Sequence, residues 1–570
     1  MGKNNVMQLV PKAGKPGRGF GQRGGLTEEI EAGLQREPRR GRIATSSRQS
    51  HTAGSSFKKN WLAWRSASSL RIRFGPLALA VLLAAPLGPS WADDDGASAA
   101  AAVAGEIAQK QKLGALFPDP TASVQTTPPV IPQLQIDGDS SGMIATFQPN
   151  GSTLTANNAF FQNLGSNGRT CFTCHQPQDG WGLSAQHAQA RFNSNPNDPL
   201  FRRVDGATCP SADVSTLAAQ RAAYSLLINK GLIRIGLPMP SAMEFQIYEV
   251  SDPYGCDANP VTGGGILSFY RRPPPSTNLG FLSTIMWDGR EPDLFQQSVD
   301  ATRGHAQSAL DPTSAQQQQI VNFETGIFTA QIHDNNAADL TADHANGGPV
   351  TLAANLTSFF IGINDPLGSN PTGKPFNPMI FDVYNPWADV NGQGGGAVAA
   401  RRAIARGQQV FNSVVINITG VGGLNDVLNQ PSISGFCGTC HDTPDVGNHS
   451  VKAPLNIGIA NAGDPQSLTP APPGLDISGL PVFKLWCTSG PLAGTTFQVT
   501  DVGRAMISGK CADIGKVKGP VLRGLAARAP YFHNGSAATL SDVVEFYNQR
   551  FGIGLTAQQK ADLVAFLNAL

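Results

Sequence analysis

The stretch Cys171-Phe172-Thr173-Cys174-His175 and its second copy, Cys437-Gly438-Thr439-Cys440-His441, decide the fold of this chain. In a C-x-x-C-H motif the two thiols add to haem vinyl groups and the histidine becomes the proximal iron ligand. Zinc binding is the competing interpretation, but neither copy has a further Cys or His at the spacing of a zinc finger. The sequence therefore predicts two covalently bound haem c groups, on Cys171, Cys174 and His175 and on Cys437, Cys440 and His441.

Helical patterns surround the two motifs. Residues Ala399 to Phe411 have apolar side chains at helical spacing and lead towards the second motif, and the amphipathic segment Asn157 to Phe161 leads into the first. At the end of the chain, Thr556 is a candidate N-cap of a helix that runs to Leu570. One face of that helix would carry four apolar residues, Leu563, Phe566, Leu567 and Leu570.

Long Pro/Gly-rich stretches separate these helices, at 253–265, 368–378, 392–396 and 469–474. The predicted fold is therefore mainly α, with two cytochrome c-like haem domains and long loop excursions. The N-terminal haem domain with its insertions is expected over 141–392 and the C-terminal one over 393–570. An Ala-rich and then Pro/Gly-rich segment over 93–140 is typical of a flexible lead-in.

Charge is distributed unevenly along the chain. Residues 1–74 hold 15 Lys/Arg and 4 Asp/Glu, a net charge of +11, whereas residues 93–570 hold 27 and 37, a net charge of −10. The acidic body argues against nucleic acid as a ligand and favours a neutral or cationic partner, such as a small basic redox protein that donates or accepts electrons.

The segment 1–92 is predicted to be a basic extension plus a secretory signal peptide. Its short apolar run, Leu77 to Leu87, follows Arg71 and Arg73 and precedes Ser90-Trp91-Ala92, a small-x-small cleavage pattern. The run is too short to span a bilayer, so no stable membrane span is expected after processing. The protein is predicted to be periplasmic or secreted, and the extension before the run is either a long leader or a misassigned start.

Four cysteines lie outside the haem motifs: Cys209, Cys256, Cys487 and Cys511. In an oxidising compartment, an even number of remaining cysteines most simply forms disulfides, here two. Their order along the chain favours the pairs Cys209–Cys256 and Cys487–Cys511, each closing one excursion.

Together these features resemble a known family. The two distant C-x-x-C-H motifs, Trp287-Asp288-Gly289-Arg290 between them, and Ala529-Pro530-Tyr531-Phe532-His533-Asn534-Gly535-Ser536 near the end are similar to the bacterial di-haem cytochrome c peroxidase and MauG superfamily. The resemblance covers most of residues 145–570. It implies that Trp287 lies between the two haems and helps pass electrons or holes.

The resemblance also implies a distal pocket at the N-terminal haem. Gln297, ten residues after Trp287, matches a distal Gln of the family, but the acidic residue expected twenty after it is Gln307 here. Because an amide cannot shuttle a proton as a carboxylate does, peroxidase activity is expected to be weak unless His305 takes that role. His305 is otherwise a candidate axial ligand.

Two further implications concern metals. The family's calcium ligands match Arg272 and Arg528, and because guanidinium groups do not coordinate a cation, no calcium is expected. For the C-terminal haem, the candidate sixth iron ligands are Tyr547, at the position of a MauG tyrosine, and His533, as in the related rubber oxygenases. The third alternative is that neither binds the iron, with Tyr547 a core residue and His533 a hydrogen-bonded loop residue. Four other histidines are predicted to be solvated loop residues without a role: His187, His333, His344 and His449.

The predicted function is an exported di-haem c-type oxidoreductase with one electron-transfer haem and one reactive haem. The C-terminal haem would exchange electrons with a partner, and the N-terminal haem would react with peroxide or oxygen. The alternatives are a simple di-haem electron carrier without a substrate and a haem oxygenase-type enzyme that acts on an organic substrate.

Overall fold

The structure, a computed structural model, describes residues 127–256, 265–390, 395–463 and 470–570. These residues belong to one unit, Gly88–Leu570. The extension and leader predicted over 1–92 lie outside the described residues, as do the first part of the lead-in and the predicted domain boundary at 392. The lead-in predicted to end at 140 ends earlier, because strands begin at Val130.

The described residues contain eleven α-helices, and none of these is long and apolar enough to cross a membrane. Their bounds in chain order are α1 (Ala185–Ser194), α2 (Arg203–Gly206), α3 (Leu217–Ala223), α4 (Ser225–Lys230), α5 (Leu294–Gly304), α6 (Ser314–Gly326), α7 (Gly348–Asn355), α8 (Gly396–Ser413), α9 (Ala505–Ser508), α10 (Leu540–Arg550) and α11 (Ala557–Asn568).

Helices account for 31% of the described residues and strands for 17%, so helix predominates as predicted, but the regions between the predicted helices also contain strands. They are β1 (Val130–Ile131), β2 (Leu134–Asp139), β3 (Gly142–Phe147), β4 (Thr153–Leu154), β5 (Ile233–Pro238), β6 (Phe245–Ser251), β7 (Ile266–Arg271), β8 (Phe328–Asp334), β9 (Ala338–Asp339), β10 (Ile416–Thr419), β11 (Ser432–Gly435), β12 (Val482–Cys487) and β13 (Thr496–Val499).

All strand pairs are antiparallel and form five small sheets. The largest has the order β2-β3-β8-β9, and the three-stranded sheet has the order β6-β12-β13. Since β6 precedes residue 392 and β12 follows it, this second sheet joins the two halves of the sequence. The excursions therefore pair with each other as strands, which satisfies their backbone hydrogen bonds.

The helical core of the C-terminal half forms as the sequence predicts. Helix α11 begins after Thr556, whose side chain accepts a hydrogen bond from the Gln559 amide. Helix α8 crosses α11 closely at Gly407, where a Cβ would lie 1.9 Å from the Asp562 carbonyl oxygen. Phe566 is fully buried there with the three other predicted apolar residues of α11.

The segment before the first motif differs from the predicted helical entry. It forms two short 3-10 turns, Thr155–Asn157 and Ala159–Phe161, because Asn158 is extended and its side chain accepts a hydrogen bond from the Phe160 amide. An asparagine that caps its own local backbone interrupts a helix at that point. Phe160 and Phe161 pack into an aromatic cluster with Trp181 and Phe323.

Both predicted disulfides are confirmed: Cys209 pairs with Cys256 and Cys487 with Cys511. The second joins the end of β12 to Cys511 and closes a loop that contains β13, and both cysteines are buried in the core of the three-stranded sheet. Such cross-links stabilise mainly by restricting the unfolded chain.

Candidate haem sites

The two C-x-x-C-H motifs fold into the same single turn. Residues Cys171–Thr173 and Cys437–Thr439 are 3-10 turns, and in each motif the histidine amide donates to the carbonyl of the first cysteine at 3.1 Å. The threonine in each motif accepts a hydrogen bond from the backbone amide before the motif, at 3.0 and 2.9 Å. The same local sequence, C-x-T-C-H, therefore presents two thiols and one imidazole in the same way at both sites.

Each motif histidine is oriented by a backbone carbonyl six residues later. His175 Nδ1 lies 2.9 Å from the Trp181 carbonyl oxygen, and His441 Nδ1 lies 2.7 Å from that of Gly447. Both carbonyl residues are left-handed, with φ of 58° at Trp181 and 74° at Gly447. A carbonyl acceptor fixes the proton on Nδ1 and leaves Nε2 with a lone pair for a metal.

Desolvation keeps both imidazoles in the ligating form. It lowers the pKa of His175 to about 4, and it also lowers the pKa of His441. The four motif thiols form no disulfide. Desolvation raises their pKa values, to about 12 for Cys437 and Cys440. Thiols without partners beside a neutral imidazole are the donor set that covalent haem attachment requires.

A large cavity adjoins each motif. The N-terminal cavity, about 1270 Å³, is lined by Cys171, Cys174 and His175, and the C-terminal cavity, about 1820 Å³, is lined by Cys437, Cys440 and His441. The residues present therefore fit one haem c at each motif.

Trp287 lines both cavities. Its indole Nε1 donates a 2.7 Å hydrogen bond to the Arg272 carbonyl oxygen, and its ring is 9% exposed. The ring centroid of His533, in the C-terminal cavity, is 6.1 Å from that of Trp287. Trp287 therefore lies in a wall that the two cavities share, and its position between two haems stays a prediction.

The rest of the Trp287-Asp288-Gly289-Arg290 motif anchors this wall by ion pairs. Asp288 is fully buried and accepts from Arg271 at 2.6 Å and from Arg290 at 3.1 Å. Arg271 continues to Asp501 at 2.6 Å, and Asp501 lies 3.5 Å from His533. Burial alone would raise the pKa of Asp501, but Arg271 and His533 lower it overall. The wall is therefore held by charges that neutralise one another.

One face of α5 lines the N-terminal cavity. Leu294, Gln297, Ser298, Ala301, Thr302 and His305 follow one another at helical spacing along it. Gln297 and His305 thus lie where the sequence predicts a distal pocket. Gln307 does not: its side chain is exposed, its φ is 54°, and it is not among the lining residues. The helix ends at Gly304, so an ungapped count from Trp287 leaves the cavity.

Asp205 is a cavity residue that the sequence did not reveal. Its carboxylate lies 2.5 Å from His305 Nδ1 and also binds Arg169. Asp205 has a φ of 49°, so its backbone is held in the left-handed region by its surroundings. It lies a hundred residues before His305 in the short α2, whose backbone leaves helical geometry at Val204 and Asp205, and no local sequence pattern marks it. The pairing leaves His305 Nε2 for a ligand in the cavity.

Glu324 is a second missed residue of the N-terminal cavity. It lies one turn after Ile320 on α6, is 5% exposed, and its Oε2 atom has no hydrogen-bond partner. Burial raises its pKa to about 7. A carboxylate on the apolar stripe formed by Ile320, Phe323 and Ile327 was the available sequence signal.

Both predicted sixth-ligand candidates line the C-terminal cavity. Tyr547 lies on α10 beside Phe546 and Phe551, and desolvation raises the pKa of its phenol. His533 is fully buried and neither ring nitrogen has a hydrogen bond, although Asp501 is near. The structure brings the two side chains to one cavity and leaves the choice between them as a prediction.

The positions that match calcium ligands are occupied by buried guanidinium groups. Arg272 donates to the carbonyl oxygens of Arg528 and of Leu183, the latter at 2.6 Å. Arg272 and Arg528 both line the C-terminal cavity. The two charged groups lie together and supply donors only, which is the opposite of what calcium needs.

Three of the four remaining histidines are not the solvated loop residues that the sequence predicts, and two of them are buried on regular elements. His187 lies on α1, buried against Asp179 with Nδ1 at 2.5 Å from the carboxylate, and His333 is buried in β8. His344 is exposed as expected. His449 lines the C-terminal cavity, and desolvation lowers its pKa to about 3. An apolar environment on a regular element therefore holds two of these rings inside.

Comparisons with known proteins agree with the two motif sites. The chain is 47% identical over 78 residues to cytochrome-c peroxidase IdrP2 of Denitromonas iodatirespirans, which is 12% of this chain and 21% of that relative. It is 28% identical over 156 residues to cytochrome c551 peroxidase of Nitrosomonas europaea, 26% of this chain and 36% of the relative. The matched stretches thus span only a fifth to about a third of these relatives.

No protein-family model matches the chain. A crystal structure of a MauG-like protein associated with microbial copper homeostasis overlaps 72% of this chain and 87% of that one, with 18% identity and a TM-score of 0.30. The sequence matches to named peroxidases bear out the resemblance read from the motifs. Over these stretches the chain is similar to bacterial cytochrome-c peroxidases.

Proposed function

We propose that the protein is an exported di-haem c-type oxidoreductase of the peroxidase type. Peroxide or oxygen would react in the N-terminal cavity, and electrons would be exchanged with a small redox protein at the C-terminal cavity. The observation that carries this proposal is the pair of cavities, each with a complete C-x-x-C-H donor set, on either side of Trp287.

Haem c, when bound, supplies an iron that changes oxidation state and can react with peroxide or oxygen. The protein contributes ligands and proton handling. His175 and His441 would each hold the iron through Nε2, because backbone carbonyls accept a hydrogen bond at Nδ1. In the N-terminal cavity, His305 would take and return a proton at Nε2 while Asp205 holds Nδ1.

The different linings of the cavities support this division of roles. The N-terminal cavity carries Gln297, His305 and Asp205, which can hold and move protons near a small polar substrate. The C-terminal cavity is lined mainly by aliphatic and aromatic residues, with Tyr547 and His533 available as sixth ligands. A filled coordination shell in apolar surroundings suits electron transfer, whereas an open position with polar groups suits catalysis.

Three observations support export and a protein partner. The predicted leader precedes the described residues, two disulfides are present, and such cross-links persist in oxidising compartments. Residues 93–570 carry a net charge of −10, which favours a basic redox protein as electron donor or acceptor. Peroxide is proposed as the substrate because the similar proteins are named cytochrome-c peroxidases, enzymes that reduce peroxide with electrons from a cytochrome c.

The test is the spin state of each haem in the secreted protein, measured by electron paramagnetic resonance beside peroxide turnover. We expect one high-spin signal, lost in His175→Ala, and one low-spin signal, lost in His441→Ala. Two low-spin haems without turnover would instead show a simple electron carrier. Turnover of an organic substrate with oxygen but not with peroxide would favour the oxygenase alternative.

A further inference from the structure

Three buried cationic side chains line the C-terminal cavity together with Trp287: Arg272, Lys518 and Arg528. They are 7%, 8% and 8% exposed, and we call them the cation cluster. The Lys518 ammonium lies 5.5 Å from the centroid of the Trp287 ring, and the Lys518 amide donates to the Trp287 carbonyl oxygen at 2.8 Å. The cluster therefore belongs to the wall that the two cavities share.

The cation cluster faces both cavities. Arg272 and Lys518 line the N-terminal and the C-terminal cavity, and Arg528 lines the C-terminal cavity. Two buried nitrogen atoms of Arg528, Nε and Nη2, have no hydrogen-bond partner. A guanidinium group offers five donors, and donors that are buried without acceptors are costly. Nε and Nη2 of Arg528 therefore have room for an acceptor that none of the described residues provides.

No carboxylate of the described residues forms an ion pair with the cluster. The neighbouring acids are engaged elsewhere: Asp501 and Asp288 by Arg271, and Asp179 by His187. Burial and mutual repulsion lower the pKa of Arg528 to about 9 and that of Lys518 to about 8. Three like charges that are buried together need anions to compensate them, and the described residues do not supply these anions.

We propose that the cation cluster binds the propionate carboxylates of the haems in the two cavities, with Arg528 serving the C-terminal haem. This inference rests on the proposed haem content. A haem carries two carboxylates on one edge, so anions would enter each cavity with the cofactor. Carboxylates are the acceptors that guanidinium groups bind best, through paired hydrogen bonds. The cluster would thereby also set the charge around Trp287 and both iron sites.

A charge role predicts the reduction potentials. Fixed positive charge beside a haem favours the reduced state, because reduction adds an electron. The Arg528→Gln substitution removes this charge and should lower the midpoint potential of the C-terminal haem by at least 59 mV. For one electron, 59 mV corresponds to a tenfold change in the reduction equilibrium constant. Lys518→Met should lower both potentials, since Lys518 lines both cavities.

The experiment is a spectroelectrochemical titration of the secreted holoprotein, after the haem content of each variant has been measured as pyridine haemochrome. Arg528→Lys should keep most of the wild-type potential, because it retains the charge. Arg406→Gln is the matched control, since Arg406 pairs with Asp562 on an exposed helix face and lines neither cavity. Its potentials should equal those of the wild type.

The outcomes separate the two proposals. Two bound haems with unchanged potentials in both Arg528→Gln and Lys518→Met would overturn the propionate role and leave the proposed function intact. Wild-type potentials that follow the chloride concentration would also overturn it, because a free anion would then occupy the cluster. If Arg528→Gln does not mature, Lys518→Met alone decides between these results. A wild-type protein without two haems would overturn the proposed function itself.

Discussion

At the level of single residues, one backbone hydrogen bond orients the histidine of each C-x-x-C-H motif. The carbonyl acceptors of His175 and His441 both sit in left-handed residues, Trp181 and Gly447. Glycine adopts this conformation freely, but tryptophan does so at a cost of about 1–2 kcal/mol. Trp181 is held by a 2.8 Å hydrogen bond from Nε1 to Thr146 and by its aromatic neighbours. Packing therefore stabilises a conformation that the His175 ligand requires.

His305 and Gln307 form a matched pair for testing the distal pocket. His305 lines the N-terminal cavity with Nδ1 on Asp205, whereas the Gln307 side chain is exposed. We expect His305→Ala to lower peroxide turnover by about 10²- to 10⁴-fold, the usual contribution of general acid-base catalysis. Gln307→Glu should leave turnover unchanged, because the new carboxylate would face solvent. Steady-state peroxide consumption measures both.

A contrary result would be equally specific. If His305→Ala converts the N-terminal haem from low to high spin and raises peroxide turnover, then His305 is an axial ligand and not the proton carrier. If Gln307→Glu raises turnover strongly, the loop after α5 reaches the cavity in the holoprotein.

Trp287 gives a second residue-level prediction. Its indole has accessible redox levels that a phenyl ring lacks, and it is the aromatic residue in the shared wall that lines both cavities. Trp287→Phe should keep both haems and slow electron transfer between them, as measured by stopped-flow reduction from one site. The control is Trp387→Phe, since Trp387 is fully buried and lines neither cavity. Equal transfer rates in the two variants would mean that Trp287 only packs.

At the level of elements, helix ends explain where sequence reasoning failed. The helix α5 was long enough to place Gln297 and His305 on the cavity side, since both lie within its regular spacing. Gln307 lies beyond the end of α5, where φ is positive. Beyond a helix end, the number of residues from Trp287 no longer predicts which way a side chain points. Likewise, Asn158 caps a local turn and breaks the helix predicted before the first motif.

The buried acid on α6 predicts a dependence of stability on pH. Burial raises the pKa of Glu324 to about 7 in the folded state, from an ordinary value of 4.5. The folded protein therefore binds more protons than the unfolded chain between these values, and stability falls as the pH rises from 4.5 to 7. The loss by pH 8 is about 3 kcal/mol of the free energy of unfolding.

Glu324→Gln should remove this dependence, because the amide does not ionise. Urea unfolding of the holoprotein at pH 5 and pH 8 measures the difference between wild type and variant. Between these pH values, the free energy of unfolding of the variant should increase relative to that of the wild type by about 3 kcal/mol. An identical pH profile for both proteins would mean that Glu324 is ionised and paired in the holoprotein.

At the level of the whole molecule, the haem motifs, helices α8 and α11 and both disulfides could be predicted because each has a short, regular sequence signature. Asp205 and Lys518 could not, since they reach the cavities through contacts between distant segments. The sheet of β6, β12 and β13 was missed for the same reason: its short strands pair across more than two hundred residues. Long-range pairing leaves no periodic trace in either strand.

The central claim is that this chain holds two covalent haems, one in each cavity. Pyridine haemochrome analysis of the secreted protein, with its intact mass, tests that claim directly. We expect two haems per chain in the wild type. One haem should remain in the double variant Cys171→Ser/Cys174→Ser, and one in the double variant Cys437→Ser/Cys440→Ser. A wild-type chain that carries one haem or none, with its mass unchanged by covalent attachment, would contradict the account.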